Sequence, residues 1–375
     1  MVGIVDVITL LLGLSGFGLA PNTRPPTADA SLSYAIADAD VVIHFDATSV
    51  IPGNYRKLVA LPDQPEIKQS PELAKIVRKA VTEVDSARGL AKTMTGIDIT
   101  TDIADATLFM QVKPGGGEPS ALVAVHGKFT VGELDKISSL VKKPVIKLKT
   151  GGGWLEVDSK NAVALTADGV LLYGARDLLS ARTQPGWKAP AHAPGTSLGY
   201  AADMLGAHPV FGISVTPSPA AREAALAAIG TGPSLGADLV KRGKAWSFSL
   251  YHDGIGWTWY DTTKSGLDAM TDMSNGAVEI LRAGQIAPRG FAKIMFGALE
   301  SYRSDPHVAQ LLDHKADVVK IVDAYIGDGS FKAKVDTDAK SLKLTARLTG
   351  KSASDVVPFG VIVPMGVVGW LVMTK

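Results

Sequence analysis

The chain has 375 residues, 46% hydrophobic and 20% charged, a balance that suits a globular body with one or two membrane-directed segments and excludes both a disordered chain and a polytopic transporter. Its 38 basic and 37 acidic side chains leave a net charge of +1, which argues against nucleic acid as a partner. With no cysteine, disulfides, cysteine-ligated metals, a thiol nucleophile and a lipidated N-terminal cysteine are excluded, and the length predicts two domains.

Residues 7–23 (VITLLLGLSGFGLAPNT) carry no charge and have the length of a signal-peptide core or a short span, with Leu10, Leu11, Leu12 and Phe17 as membrane-anchor candidates. No Lys or Arg precedes the run, so the positive region of an ordinary signal peptide is missing. Residues 1–30 are therefore read as an export signal or a retained anchor, with a buried core helix as the alternative.

A first α+β module is expected over 31–183. The VVIHFD strand places Val42, His44 and Asp46 on one face and Val41, Ile43 and Phe45 on the other. A helix follows over 71–94, opened by Ser70 and Pro71 and ended by Gly96. Strands over 106–112 and 121–126 flank a Pro/Gly-rich hairpin loop, and Thr130 with Glu133 forms the capping box of a helix reaching 142. Short strands at 145–149, 154–157, 162–166 and 170–173 lead to a helix over 175–182. The order β-α-β-β-α-β is that of a ferredoxin-like split unit with an added hairpin.

Residues 184–199, with Pro185, Pro190 and Pro194, read as a linker. A second module is expected over 200–350. It has a strand at 210–215, an Ala-rich helix at 219–229, and a hairpin in AWSFSLYHDGIGWTWYDT turning at Asp253-Gly254. That turn would pair Leu250 with Trp257 and Phe248 with Trp259, with Trp246 on the same face. Helices over 264–282, 289–302 and 306–325 and a closing hairpin over 330–335 and 341–348 complete it. Two successive β-α-β-β-α units imply an internal duplication.

The last segment, 351–375, contains eighteen uncharged residues at 356–373. As a helix they would extend about 27 Å, nearly a bilayer core. Pro358 suits the first turn, Pro364 would kink the helix, and Phe359, Val363, Trp370 and Lys375 are its membrane-anchor candidates. The alternative is a C-terminal strand packed on the body.

The runs Asp38-Ala-Asp-Val-Val-Ile-His-Phe-Asp46, Thr95-Gly-Ile-Asp-Ile-Thr-Thr-Asp-Ile103, Val123-Ala-Val-His-Gly-Lys-Phe129 and VALTADGVLLYGARDLLSA over 163–181 resemble a loosely defined group of exported Gram-negative bacterial proteins of unknown function. The resemblance extends over the second half by element order. It implies an extracytoplasmic α+β protein and carries over no catalytic residue.

The chemistry-bearing residues have bland explanations. His44 and Asp46 could act as a base and its carboxylate, but a polar row on a half-buried strand accounts for both. His307 and His314, with Asp313 and Asp317 nearby, are seven residues apart, about 10 Å along a helix and too far for one ion. Gly115 to Gly117 and Gly151 to Gly153 lie between strands, not before a helix, and the glycines at 230–236 follow a helix, so no nucleotide is expected. Lys136, Lys142, Lys143, Lys147 and Lys149 form a solvated basic face, with contact to anionic lipid headgroups as the alternative. No cofactor or metal is expected. The sequence therefore points to a non-enzymatic, membrane-tethered protein of the cell envelope with its body in the periplasm, whose partners are the membrane and other envelope proteins. The alternatives are an apolar-ligand or lipid-binding module using the face of Trp246, Phe248, Trp257 and Trp259 and, more remotely, a hydrolase.

Overall fold

The computed structural model describes residues 28–68, 71–229, 235–304 and 331–350, with positions 309, 312, 313, 315 and 316. The first half runs α1 (Ala28–Leu32), β1 (Val41–Asp46), α2 (Ala47–Ala60), α3 (Pro65–Lys68), α4 (Pro71–Thr95), β2 (Ile103–Gln111), β3 (Ser120–Gly127), α5 (Val131–Val141), β4 (Ile146–Lys147), β5 (Gly153–Glu156), β6 (Asn161–Leu165), β7 (Val170–Ala175) and α6 (Arg176–Arg182). The second runs α7 (Ser197–Gly206), β8 (Phe211–Val215), α8 (Pro219–Ile229), α9 (Leu235–Arg242), β9 (Gly243–Tyr251), β10 (Gly254–Asp261), α10 (Lys264–Leu299), β11 (Lys332–Asp338) and β12 (Lys343–Thr349). The protein is α+β, and its described strands join one antiparallel sheet of twelve in the order β11-β12-β10-β9-β8-β1-β2-β3-β7-β6-β5-β4.

This sheet corrects the ferredoxin-like expectation. A split βαβ unit needs two parallel strands with a third between them, whereas β1 and β2 are direct antiparallel neighbours despite the helices that separate them in sequence. The first strand of each half lies at the sheet's middle, where β1 and β8 pair in a register centred on Ile43 and Ile213. Outward from that pair the halves repeat one order: β1, β2, β3, β7, β6 on one side and β8, β9, β10, β12, β11 on the other. Asp40, buried just before β1, stitches the centre. Its carboxylate accepts from the Val112 N–H at 2.7 Å and the Ser218 N–H at 2.5 Å, while its carbonyl accepts from Thr216 N at 2.8 Å.

Local signals placed several elements. α4 ends at Gly96, which takes the left-handed conformation at φ 82°, and α5 opens with the Thr130–Glu133 capping box. α10 is one helix where two were expected. The stretch read as a linker lies against the body: Trp187 Nε1 donates to the Ser33 carbonyl at 3.2 Å, and Thr196 caps α7. The expected helix over 306–325 falls almost wholly outside the described residues.

The β9–β10 turn is also corrected. Its central residues are His252 and Asp253, so Phe248 faces Trp257 and Trp246 faces Trp259. Gly254 answers a different demand from the one its sequence suggested: a Cβ there would strike the carbonyl of Leu348 on the neighbouring β12. Because the slip moves the pairing by two residues, every side chain keeps the face that the alternation assigned to it.

Candidate functional site

Strand alternation builds a continuous apolar row across the sheet. In register it runs Leu155, Val163, Tyr173, Val123, Leu108, Ile43, then Ile213, Phe248, Trp257, Ala346 and Val335. At one end α5 covers it with Leu134, Ile137 and Val141. At the other α10 brings Val278 and Leu281, and Ser274 Oγ accepts from the Trp257 indole N–H at 2.9 Å. Trp259 is buried and donates to Asp261 at 2.9 Å. Between these covers, within the described residues, Ile43, Phe45, Leu108, Met110, Ile213 and Val215 are only half-buried, and Trp246 is 38% exposed. The aromatic stripe thus grades from core at Trp259 to an open apolar surface at Trp246.

The reverse face carries the polar row. His44, Asp46, Asp105, Thr107 and His126 come together because His44 faces Thr107, Asp46 faces Asp105, and Asp105 faces His126. His44 is 2% exposed, its Nδ1 lies 3.0 Å from Thr107 Oγ1, and burial pushes its pKa down, so the ring is neutral. The Asp46 carboxylate accepts the Ser49 N–H at 3.1 Å and the hydroxyls of Ser49 and Thr48. Both members of the expected dyad are thus committed to structural bonds beneath the surface. Burial alone would lower the pKa of His126, but the Asp105 carboxylate at 2.9 Å and the Ala30 carbonyl, both acceptors to the ring, together with the charge of Asp168, raise it.

These groups hold the segment around α1 against the sheet. The Tyr34 hydroxyl donates to Asp168 at 2.7 Å and is pushed up to about 12 by burial and that carboxylate. Arg182 donates to the carbonyls of Tyr34 and Ala35, each at 2.7 Å. On the second half this face is lined by Gly212, Ser214, Ser247 and Ser249, small enough for α7 to approach: a Cβ on Gly212 would lie 2.7 Å from the Met204 sulfur. Asp105 and Asp168 escaped the sequence reading; the β2–β3 hairpin register, which sets Asp105 opposite His126, was the signal that could have found the first.

Near the β4 end of the sheet an open cleft of 260 Å³ is lined by Lys149, Trp154, Ser180, Thr183 and Gln184 among others. Among the described residues no group of three or more His, Asp or Glu side chains could hold a metal ion. No described helix is long and apolar enough to cross a membrane. The anchor candidates Leu10, Leu11, Leu12, Phe17, Phe359, Val363, Trp370 and Lys375 all lie outside the described residues, as do His307 and His314.

Neither a protein-family model nor a curated protein matches the chain. Among solved structures it is similar to crystal forms of TP0453. Form I has 9% identity over 89% of this chain and 95% of that one, with a TM-score of 0.35. Form III has 10% identity over 90% and 98%, with a TM-score of 0.33. Form IV has 13% identity over 64% and 80%, with a TM-score of 0.31. At these scores neither fold nor function carries over.

Proposed function

We propose that the chain is a non-enzymatic envelope protein whose extracytoplasmic body is tethered to the membrane by its apolar terminal segments and offers the open part of its sheet to an apolar partner, an acyl chain in the first instance. The half-open row of Ile43, Leu108, Ile213 and Trp246 carries this reading, because a soluble body ordinarily covers such a row or uses it. The terminal segments support tethering by composition, being long, uncharged and apolar. The resemblance to exported Gram-negative proteins fits the same reading, as does the strand order that the two halves of the sheet share. Acid–base hydrolysis is poorly served by His44, which is neutral, buried and engaged with Thr107.

Titrating the full chain with a bromine-labelled fatty acid tests the open face. Emission should fall as the acyl chain fills it, and the Trp246→Phe chain should lose most of that response while a Trp187→Phe control keeps it. Emission that does not respond, or a response equally reduced in the control, rules out the open face as the binding site.

A further inference from the structure

The stretch from Lys136 to Lys149 contains five lysines and no carboxylate. It forms the end of α5, the turn after it and the two-residue edge strand β4. Lys142 closes α5 in a left-handed conformation at φ 57°. Lys136, Lys142, Lys147 and Lys149 are exposed and Lys143 is half-buried. Among the described residues none of the five forms an ion pair, although the charge of Glu133 is felt by Lys136 and that of Asp158 by Lys143. Two aliphatic side chains stand exposed among these cations, Leu140 at 46% and Ile146 at 54%. The cleft beside Trp154 opens at the same corner, with the Lys149 side chain and the hydroxyl-bearing Ser180 and Thr183 in its wall. The opposite edge of the sheet differs: on β11 Lys332 and Lys334 are followed on the same face by Asp336 and Asp338, and Lys334 pairs with Asp336 at 2.6 Å.

We infer that this corner is a docking surface for an anionic phospholipid bilayer. Five cations, none of them in an ion pair among the described residues, match a negative headgroup layer. Leu140 and Ile146 can sink into the acyl boundary while the lysine stems lie along it with their ammonium groups in the headgroups. The cleft, open and lined largely by apolar groups such as Leu148, Trp154 and Pro185, is of a size to take the glycerol region of one lipid, with Lys149 at its wall to meet the phosphate. The inference rests on the membrane-tethered reading and adds to it the orientation of the body, with the β4 edge toward the lipid and the β11 edge away. Edge lysines also discourage strand pairing between molecules, a role that would leave lipid binding untouched by their loss.

Lysine acetylation of the full chain, read by mass spectrometry, separates these roles when run with vesicles of phosphatidylcholine alone and with vesicles containing phosphatidylglycerol. Lys142, Lys147 and Lys149 should be protected severalfold by the anionic vesicles while Lys332 and Lys334 label unchanged. Combining Lys142→Gln, Lys147→Gln and Lys149→Gln should lower the anionic-over-neutral partition ratio by on the order of tenfold or more, and high salt should erase the difference. An unchanged ratio, or equal protection at both edges, overturns the inference. A chain that binds neutral vesicles with these lysines fully labelled also overturns it but leaves the tethered reading standing. A chain that binds neither vesicle removes both.

Discussion

His44 and His126 sit on the same sheet face and answer acid in opposite ways. His44, neutral under burial, must be desolvated to take a proton, so its contribution to stability is present above its unfolded pKa of about 6.5 and is lost as pH falls below it. His126 gains acceptors from Asp105 and Ala30, so its contribution is present below about 6.5 and is lost as pH rises through its raised folded value. A neutral imidazole has a single N–H, so deprotonation leaves one of those two acceptors without its donor. Unfolding free energy measured against pH should therefore peak near the middle of this range. The His126→Gln chain should lose the decline on the alkaline side and keep the one on the acid side. An unaltered alkaline limb in that variant would contradict the role given to His126.

Among the elements, α4 owes its place to a polar latch at its C-terminal end. Arg88 donates to Asp98 through Nε at 3.0 Å and Nη2 at 2.8 Å, Lys92 adds a bond at 3.1 Å, and Thr100 donates through both N and Oγ1. Arg88 also donates to the Tyr55 hydroxyl of α2 at 2.9 Å, tying three segments together. The Arg88 guanidinium, with Thr100 and Lys92, holds the buried Asp98 carboxyl well below the usual carboxylate range. The latch is thus intact above about pH 4 and yields only as pH falls through that depressed value. Asp98→Ala leaves Arg88 facing a void, at a cost of about 3 kcal/mol. Hydrogen exchange over 71–95 should accelerate in this variant while β2 and β3 keep their protection; unchanged exchange in that helix would refute the latch. Elements of this kind were legible where the signal was local, as with the capping box at Thr130 or the alternation in VVIHFD. The turn at His252 and Asp253 was misplaced because Asp-Gly is a turn signal in isolation, whereas Gly254 is required by a strand more than ninety residues away. The lysines between 136 and 149 were legible as a basic stretch despite the overall charge of +1, whereas the exposure of Leu140 and Ile146 among them was not.

At the scale of the whole molecule, the strand order was beyond the reach of sequence patterns. Every strand of this sheet presents an apolar face, so alternation says which residues are buried without saying which strand is whose neighbour. The pairing of β1 with β8 crosses about 170 residues and is fixed by packing on the face that α7 covers and by the Asp40 stitch. Of the candidate site, the aromatic side chains were legible and their gradation was not, because exposure at Trp246 depends on where α10 ends its cover. The β1–β8 ladder also has a bearing on descent. In it Val41 meets Val215, Ile43 meets Ile213 and Phe45 meets Phe211, and a reversed copy of β1 would present Phe, Ile and Val in those places. A fragment spanning 28–183 therefore exposes an edge that its own twin can complete, and it should form a two-fold dimer in light scattering, with Ile43→Lys returning it to a monomer. A fragment that is folded and monomeric without that substitution would contradict this. The present chain would then be a fused pair, an ancestral homodimer whose two subunits later diverged, the inner strand of one acquiring His44 where the other has the glycine and serine that let a helix approach.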